Sequence, residues 1–173
     1  DKMQIPYVLI DAFIENTHCL AYYGTNSFNS GYIAAKLMYQ QIGPDDKLAV
    51  FRFIRKGDSC STQVLKREEG FRTYLDENHF RGTIYPVHIH ADDNEGNRNI
   101  LDSFFLLHGD VKAGIIFNSR VHVLGDYFKA RKKKDFKLIG YDILDENEAY
   151  LNNGLVTHLI AQRPEVQGVN CVR

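Results

Sequence analysis

A chain of 173 residues, 44% hydrophobic and 25% charged, is long enough to bury a core and too apolar for a disordered tail. Its formal charge of -1 leaves no chain-wide footprint for nucleic acid. No apolar run approaches the roughly 18 residues of a membrane helix, and the first residues lack a signal-peptide core. The first residue is Asp1 and not methionine, so a piece of a longer protein is expected. Cys19, Cys60 and Cys171 are odd in number and lack Cys-x-x-Cys spacing. They are expected to be buried free thiols in a reducing, cytoplasmic compartment.

Residues 5–10 read as a buried strand that stops at Asp11, with Pro6 near its start, where a missing donor is tolerated. Residues 12–19 carry no clear pattern, and 20–24 suggest another short strand. The N-cap-rich run 26–30 precedes a helical pattern over 31–42. The breaker Gly43-Pro44-Asp45-Asp46 is the expected boundary between two lobes. Residues 48–54 form the next strand, and 55–61 a polar loop. A helix is predicted over 62–78, because Val64, Leu65, Phe71, Tyr74 and Leu75 fall on one stripe. A strand over 83–89 and a polar cap region over 92–97 follow. The next helix carries Ile100, Leu101, Phe104, Phe105 and Leu107 and stops at Gly109.

Residues 113–142 organise the remainder. An apolar run, 113–117, stops at Asn118; a helical pattern follows; a second apolar run, 136–141, stops at Asp142. Two strands joined by a helix are parallel with a right-handed crossover. Asn118 and Asp142 therefore arrive at the same C-terminal sheet edge, where open parallel sheets bind small ligands. A helix over 146–152, a strand over 155–160 and a helix opening at Pro164 complete the chain. The alternation argues a three-layer α/β fold, a parallel sheet with helices on both faces.

Other clusters compete for a function. His88 and His90 share one strand face, and Asp92 or Asp93 nearby suggests a metal site or part of a His-x-His-x-Asp-His metallo-hydrolase signature. Against it, His122 falls in the middle of a predicted helix, and no second cluster has ligand spacing. The bland alternative is a strand end leading into a cleft loop. The basic run 129–134 ends a helix, where cations complement the dipole. Cys60 has no partnering histidine in local sequence, so nucleophile chemistry is unsupported.

Six segments in order, IPYVLIDA (5–12), NSFNSGYIAAKLM (26–38), LKREEGFRTYLDEN (65–78), AGIIFNSRVHVLG (113–125), KLIGYD (137–142) and LVTHLIAQRPEVQG (155–168), resemble the ligand-binding region of the lactose- and galactose-repressor family of transcription regulators. That region shares the type I periplasmic sugar-binding-protein fold. The resemblance implies mostly the C-terminal lobe, residues 44–160. Residues 1–43 and 161–173 would be incomplete crossing segments of the N-terminal lobe.

It also implies an effector site at Asn118, Asp142, Arg67, Gln162 and Ser30. Ser30 stands where many members carry an acidic residue. Phe28, Tyr22 and Tyr141 are candidate stacking surfaces for a sugar. The implied function is sugar sensing without catalysis or cofactor, in a homodimer that binds operator DNA through a helix-turn-helix head outside this chain, away from membranes. A periplasmic sugar-binding protein of a transporter shares the fold and remains an alternative. So does a phosphate-bearing or nucleobase effector.

Overall fold

The computed structural model describes residues 5–14, 16–54, 61–90 and 93–172. Five parallel strands form the main sheet: β3 (Leu48–Ile54), β4 (Ile84–His90), β5 (Ala113–Ile116), β6 (Lys137–Tyr141) and β7 (His158–Ile160), in the order β4-β3-β5-β6-β7. Strand alternation sorts the core. Leu48, Val50, Ala113, Ile115, Ile139 and Tyr141 point to one face, covered by α1 (Ser27–Tyr39) and α2 (Thr62–Glu77). Ala49, Phe51, Val87, Ile89, Ile116 and Leu138 point to the other. That second face lies under α3 (Asn94–Leu107), α4 (Val121–Ala130) and α5 (Asp145–Asn152). The expected three-layer α/β sandwich is the fold observed. Among the described residues no helix is long and apolar enough to cross a membrane.

A second, two-stranded parallel sheet pairs β1 (Val8–Ile10) with β2 (Ala21–Tyr23), and α6 (Pro164–Cys171) packs on both strands. Residues 24–26 and 161–163 connect this small unit to the large one.

The division at residue 43 does not hold. Helix α1 buries Ala34, Ala35 and Met38 in the same cluster as Leu48 and Val50, so it belongs to the large sheet. Gly43-Pro44 is a turn inside that unit, where Pro44 O accepts from Arg81 N and Gly82 N. The change of unit comes at residues 24–26 instead. Two glycines explain why α1 cannot be detached from α2. A Cβ at Gly31 would lie 1.8 Å from Arg67 O, and one at Gly70 would lie 2.0 Å from Phe28 O. The helix backbones touch there, and no larger residue fits.

Two helices start earlier than the sequence pattern predicts. Asn26 caps α1 by accepting from Asn29 N at 2.9 Å, so the helix begins at Ser27, inside the N-cap-rich run 26–30. Helix α3 begins at Asn94, because Asp93 accepts from Gly96 N at 2.8 Å. His122 lies second in α4, not at its middle. Cys19 and Cys171 are free but half-buried, and Cys60 lies outside the described residues.

Candidate functional site

The C-terminal ends of β5 and β6 sit side by side, and the residues after them carry the site. Asp142 follows β6 with φ +66°, a left-handed backbone that costs a non-glycine residue energy and recurs at binding sites. Its N–H donates to Ile160 O at 3.0 Å, and its Oδ1 accepts from Gln162 Nε2 at 2.8 Å. Asn118, half-buried after β5, accepts from Arg120 N at 3.0 Å through Oδ1, which turns the chain into α4. The two arrive at one edge, as the strand-helix-strand pattern requires.

Arg67 comes from α2 and is only 3% exposed. Its Nη1 donates to Phe117 O at 2.8 Å, and the guanidinium lies 4.3 Å from the centroid of the Tyr141 ring. Among the described residues, its Nε and Nη2 are buried without a hydrogen-bond partner. Tyr141 is fully buried beneath it, and burial pushes its hydroxyl up to about 12. Ser30 is turned inward: Oγ donates to Ser27 O at 3.0 Å and lies 3.4 Å from Tyr141 Oη. Its place is beside Tyr141, supporting the ring on which Arg67 rests.

Gln162 joins the two units. Besides bonding Asp142, it accepts from Thr25 Oγ1 at 3.2 Å through Oε1, and Thr25 Oγ1 accepts from Gln167 Nε2 at 3.0 Å. A cavity of about 640 Å³ opens between the units, lined by Asp142, Gln162, Ser119 and Asp11, with Ile143 and Leu144 as apolar wall. Tyr22 and Phe28, two of the candidate stacking rings, line a separate cavity of about 430 Å³ with Thr62 and Lys66.

Two residues escaped the sequence reading. Asp11 ends β1 as Asp142 ends β6, also left-handed at φ +63°, and its Oδ1 accepts from Gln63 Nε2 at 3.1 Å. Each unit thus offers one strand-end aspartate to the same cavity, each held by a glutamine amide. The strand end was visible in sequence. The patternless stretch after it gave no helix to fix its direction.

Asn147 on α5 had no signal at all. It is fully buried, and Nδ2 faces Ser119 O at 2.8 Å, Tyr141 O at 3.2 Å and Asp142 O at 3.0 Å. Its Oδ1 lies 3.1 Å from both the backbone N and Nδ1 of His122. That oxygen only accepts, so His122 carries its proton on Nδ1. One amide therefore ties the loop after β5 to the loop after β6.

The histidine cluster is dispersed. His88 and His90 are exposed on edge strand β4, and both backbone polar groups of His90 are held by Asn97 at 2.6 Å. Asp92 lies outside the described residues, and Asp93 caps α3. His108 packs 4.3 Å from Tyr85, and His158 lies 3.3 Å from Gln41. Among the described residues, no three metal-binding side chains converge.

An open parallel sheet, polar groups gathered at its C-terminal edge and a cleft against a second sheet define a ligand-binding protein of the two-unit kind. The chain belongs to the periplasmic binding protein domain family, whose model matches residues 1–173. This is a family of binding domains and not of enzymes. A protein described as a LacI transcriptional regulator from Bacteroides fragilis is 44% identical, with a TM-score of 0.92 over 99% of this chain and 59% of its own. GanP, a glucose-galactose binding protein from Geobacillus stearothermophilus, is 20% identical, with a TM-score of 0.81 over 99% of this chain and 60% of its own. A transporter solute-binding protein from Agrobacterium vitis, bound with α-D-tagatopyranose, is 21% identical, with a TM-score of 0.80 over the same shares. The chain thus spans about three fifths of the structures it resembles. No curated protein matches it.

Proposed function

We propose that this chain is the effector-sensing part of a LacI-type transcriptional regulator of carbohydrate-related genes. The observation that carries the reading is the polar set at one sheet edge, Asn118 and Asp142 with Arg67 behind them and Gln162 reaching in from the 161–163 connection. A sugar presents hydroxyls that both donate and accept. An aspartate accepts, an asparagine does both, and an arginine donates in a planar fork. The 44% identity to the Bacteroides fragilis regulator favours regulation over transport. The full protein would be a cytoplasmic homodimer holding operator DNA through a helix-turn-helix head, with no membrane role. Sugar bound between the units would favour one relative arrangement and so bias DNA affinity. That coupling requires different sugar affinity for the two arrangements.

A thermal-shift screen of the full-length protein against neutral sugars, sugar phosphates, nucleobases and divalent metals, repeated with Asp142→Ala, tests the reading. A hundredfold excess over the dissociation constant adds about 2.7 kcal/mol of stability. A sugar-dependent shift lost in the variant, with operator affinity that changes on adding the same sugar, supports the sensor. Sugar binding without any DNA binding would favour the second reading, a transporter's binding protein, to which the fold of GanP lends support. A shift by metal alone, abolished by His88→Ala, would sink both.

A further inference from the structure

Three carboxylates line the cavity between the units: Asp142 from the large unit, Asp11 and Glu165 from the small one. Among the described residues, no lysine, arginine or histidine lines that cavity with them, and none of the ion pairs includes any of the three. Gln162 holds Asp142 and Gln63 holds Asp11, but a neutral amide orients a carboxylate without cancelling its charge. Arg67, the buried cation behind this edge, is turned to Phe117 O and the Tyr141 ring and does not line the cavity. Closing the units on one another brings like charges together, which is costly unless the occupant carries the opposite sign.

The spacing decides what kind of cation. Among the described residues no three metal-binding side chains converge, so Asp11, Glu165 and Asp142 are too far apart to share a bare ion. The occupant must span the gap, with its charge at one end. Glu165 lies in the first turn of α6, which packs on β1, and Asp11 directly follows β1. These two form a pair on the wall of the small unit, across the cavity from Asp142. A primary ammonium has three N–H donors and no acceptor, so it serves two carboxylates at once. Ile143 and Leu144 supply an apolar wall for the C–H face of a ring.

We propose that the ligand of this site is an amino sugar, whose ammonium sits between Asp11 and Glu165 while its hydroxyls reach Asp142. The proposal rests on the sugar-sensor reading. Calorimetric titration of the full-length protein at about pH 6 with D-glucosamine and D-galactosamine, against D-glucose, D-galactose and N-acetyl-D-glucosamine, separates the two. At that pH an amine of the α-amino kind is protonated, while the N-acetyl form keeps the nitrogen and loses the charge. An amino sugar should bind on the order of 10- to 100-fold tighter than its neutral parent, the span of a hydrogen bond to a charged group. Asp11→Asn combined with Glu165→Gln should erase that preference. Both positions are exposed, and Glu165→Gln alone should remove part of it, which guards against a folding artefact. Equal or tighter binding of a neutral parent or of the N-acetyl form overturns the proposal and leaves the sensor reading standing. A preference that survives the double variant also overturns it. Calcium chloride titrated alone, with a binding heat lost in the same variant, overturns the amino sugar in favour of a metal ion. Binding of none of the five sugars overturns the proposal together with the sugar reading.

Discussion

Asn147 offers the sharpest test of how this site is held. Replacing it with alanine leaves Ser119 O, Tyr141 O and Asp142 O without their donor, and His122 N without its acceptor. Tyr141 O is in a fully buried bond, while the other three are partly buried, where water can reach them. An unsatisfied buried group costs about 1–3 kcal/mol and a water-accessible one at most about 1. Together these amount to about 3 kcal/mol. With a urea slope of about 2 kcal/mol per molar for a domain of this size, the unfolding midpoint should fall by about 1.5 M.

Asn147→Asp is the discriminating variant, because it keeps volume and both contacts from His122 but has no N–H to offer three carbonyls. Equilibrium urea unfolding at pH 8 should find it at least as destabilised as the alanine variant. An aspartate variant within about 1 kcal/mol of the parent would refute the reasoning, since it would mean that the His122 contacts alone hold the loops.

Asp142→Gly should relieve left-handed strain and hold or raise stability by a few tenths of a kcal/mol, while abolishing sugar-dependent stabilisation in a thermal-shift assay. Gly31→Ala places a methyl into Arg67 O and should cost at least about 3 kcal/mol in urea unfolding, more than Gly43→Ala, where the nearest atom is 3.5 Å away. Burial alone would raise the Glu68 carboxyl, but hydrogen bonds from Arg52 and Arg72 outweigh it and hold it below its ordinary value. Its contribution is therefore fully present above the unfolded-state pKa and lost as pH falls through the lowered folded-state value. Glu68→Gln should flatten that part of the acid limb in a stability-versus-pH series.

The sheet and the strand-end pair were legible because both follow from alternation alone. Apolar runs that stop at Asn118 and Asp142, joined by a helix, can be placed only one way. Arg67 was legible through the resemblance, while its burial was not, since Lys66-Arg67-Glu68-Glu69 reads as a solvated helix face. Asn147 sits in a polar helix with three acids in its first turn, where an asparagine reads as surface. Its burial is decided by where α5 docks, which no local pattern encodes. The misplaced boundary has the same origin. A Gly-Pro turn is a local signal, whereas the membership of α1 is fixed by contacts with strands that come later in the chain.

The two links between the units are short, three residues each, and they lie against one another through Thr25 and Gln162. Two adjacent straps permit very little sliding or separation, because either would have to break that bond or stretch one strap against the other. Rotation about the line they share is the cheap degree of freedom. Within this chain, a change in the cleft would therefore be expressed in essentially one coordinate, an angle, and Gln162 sits on its axis with one end of its amide already on Asp142.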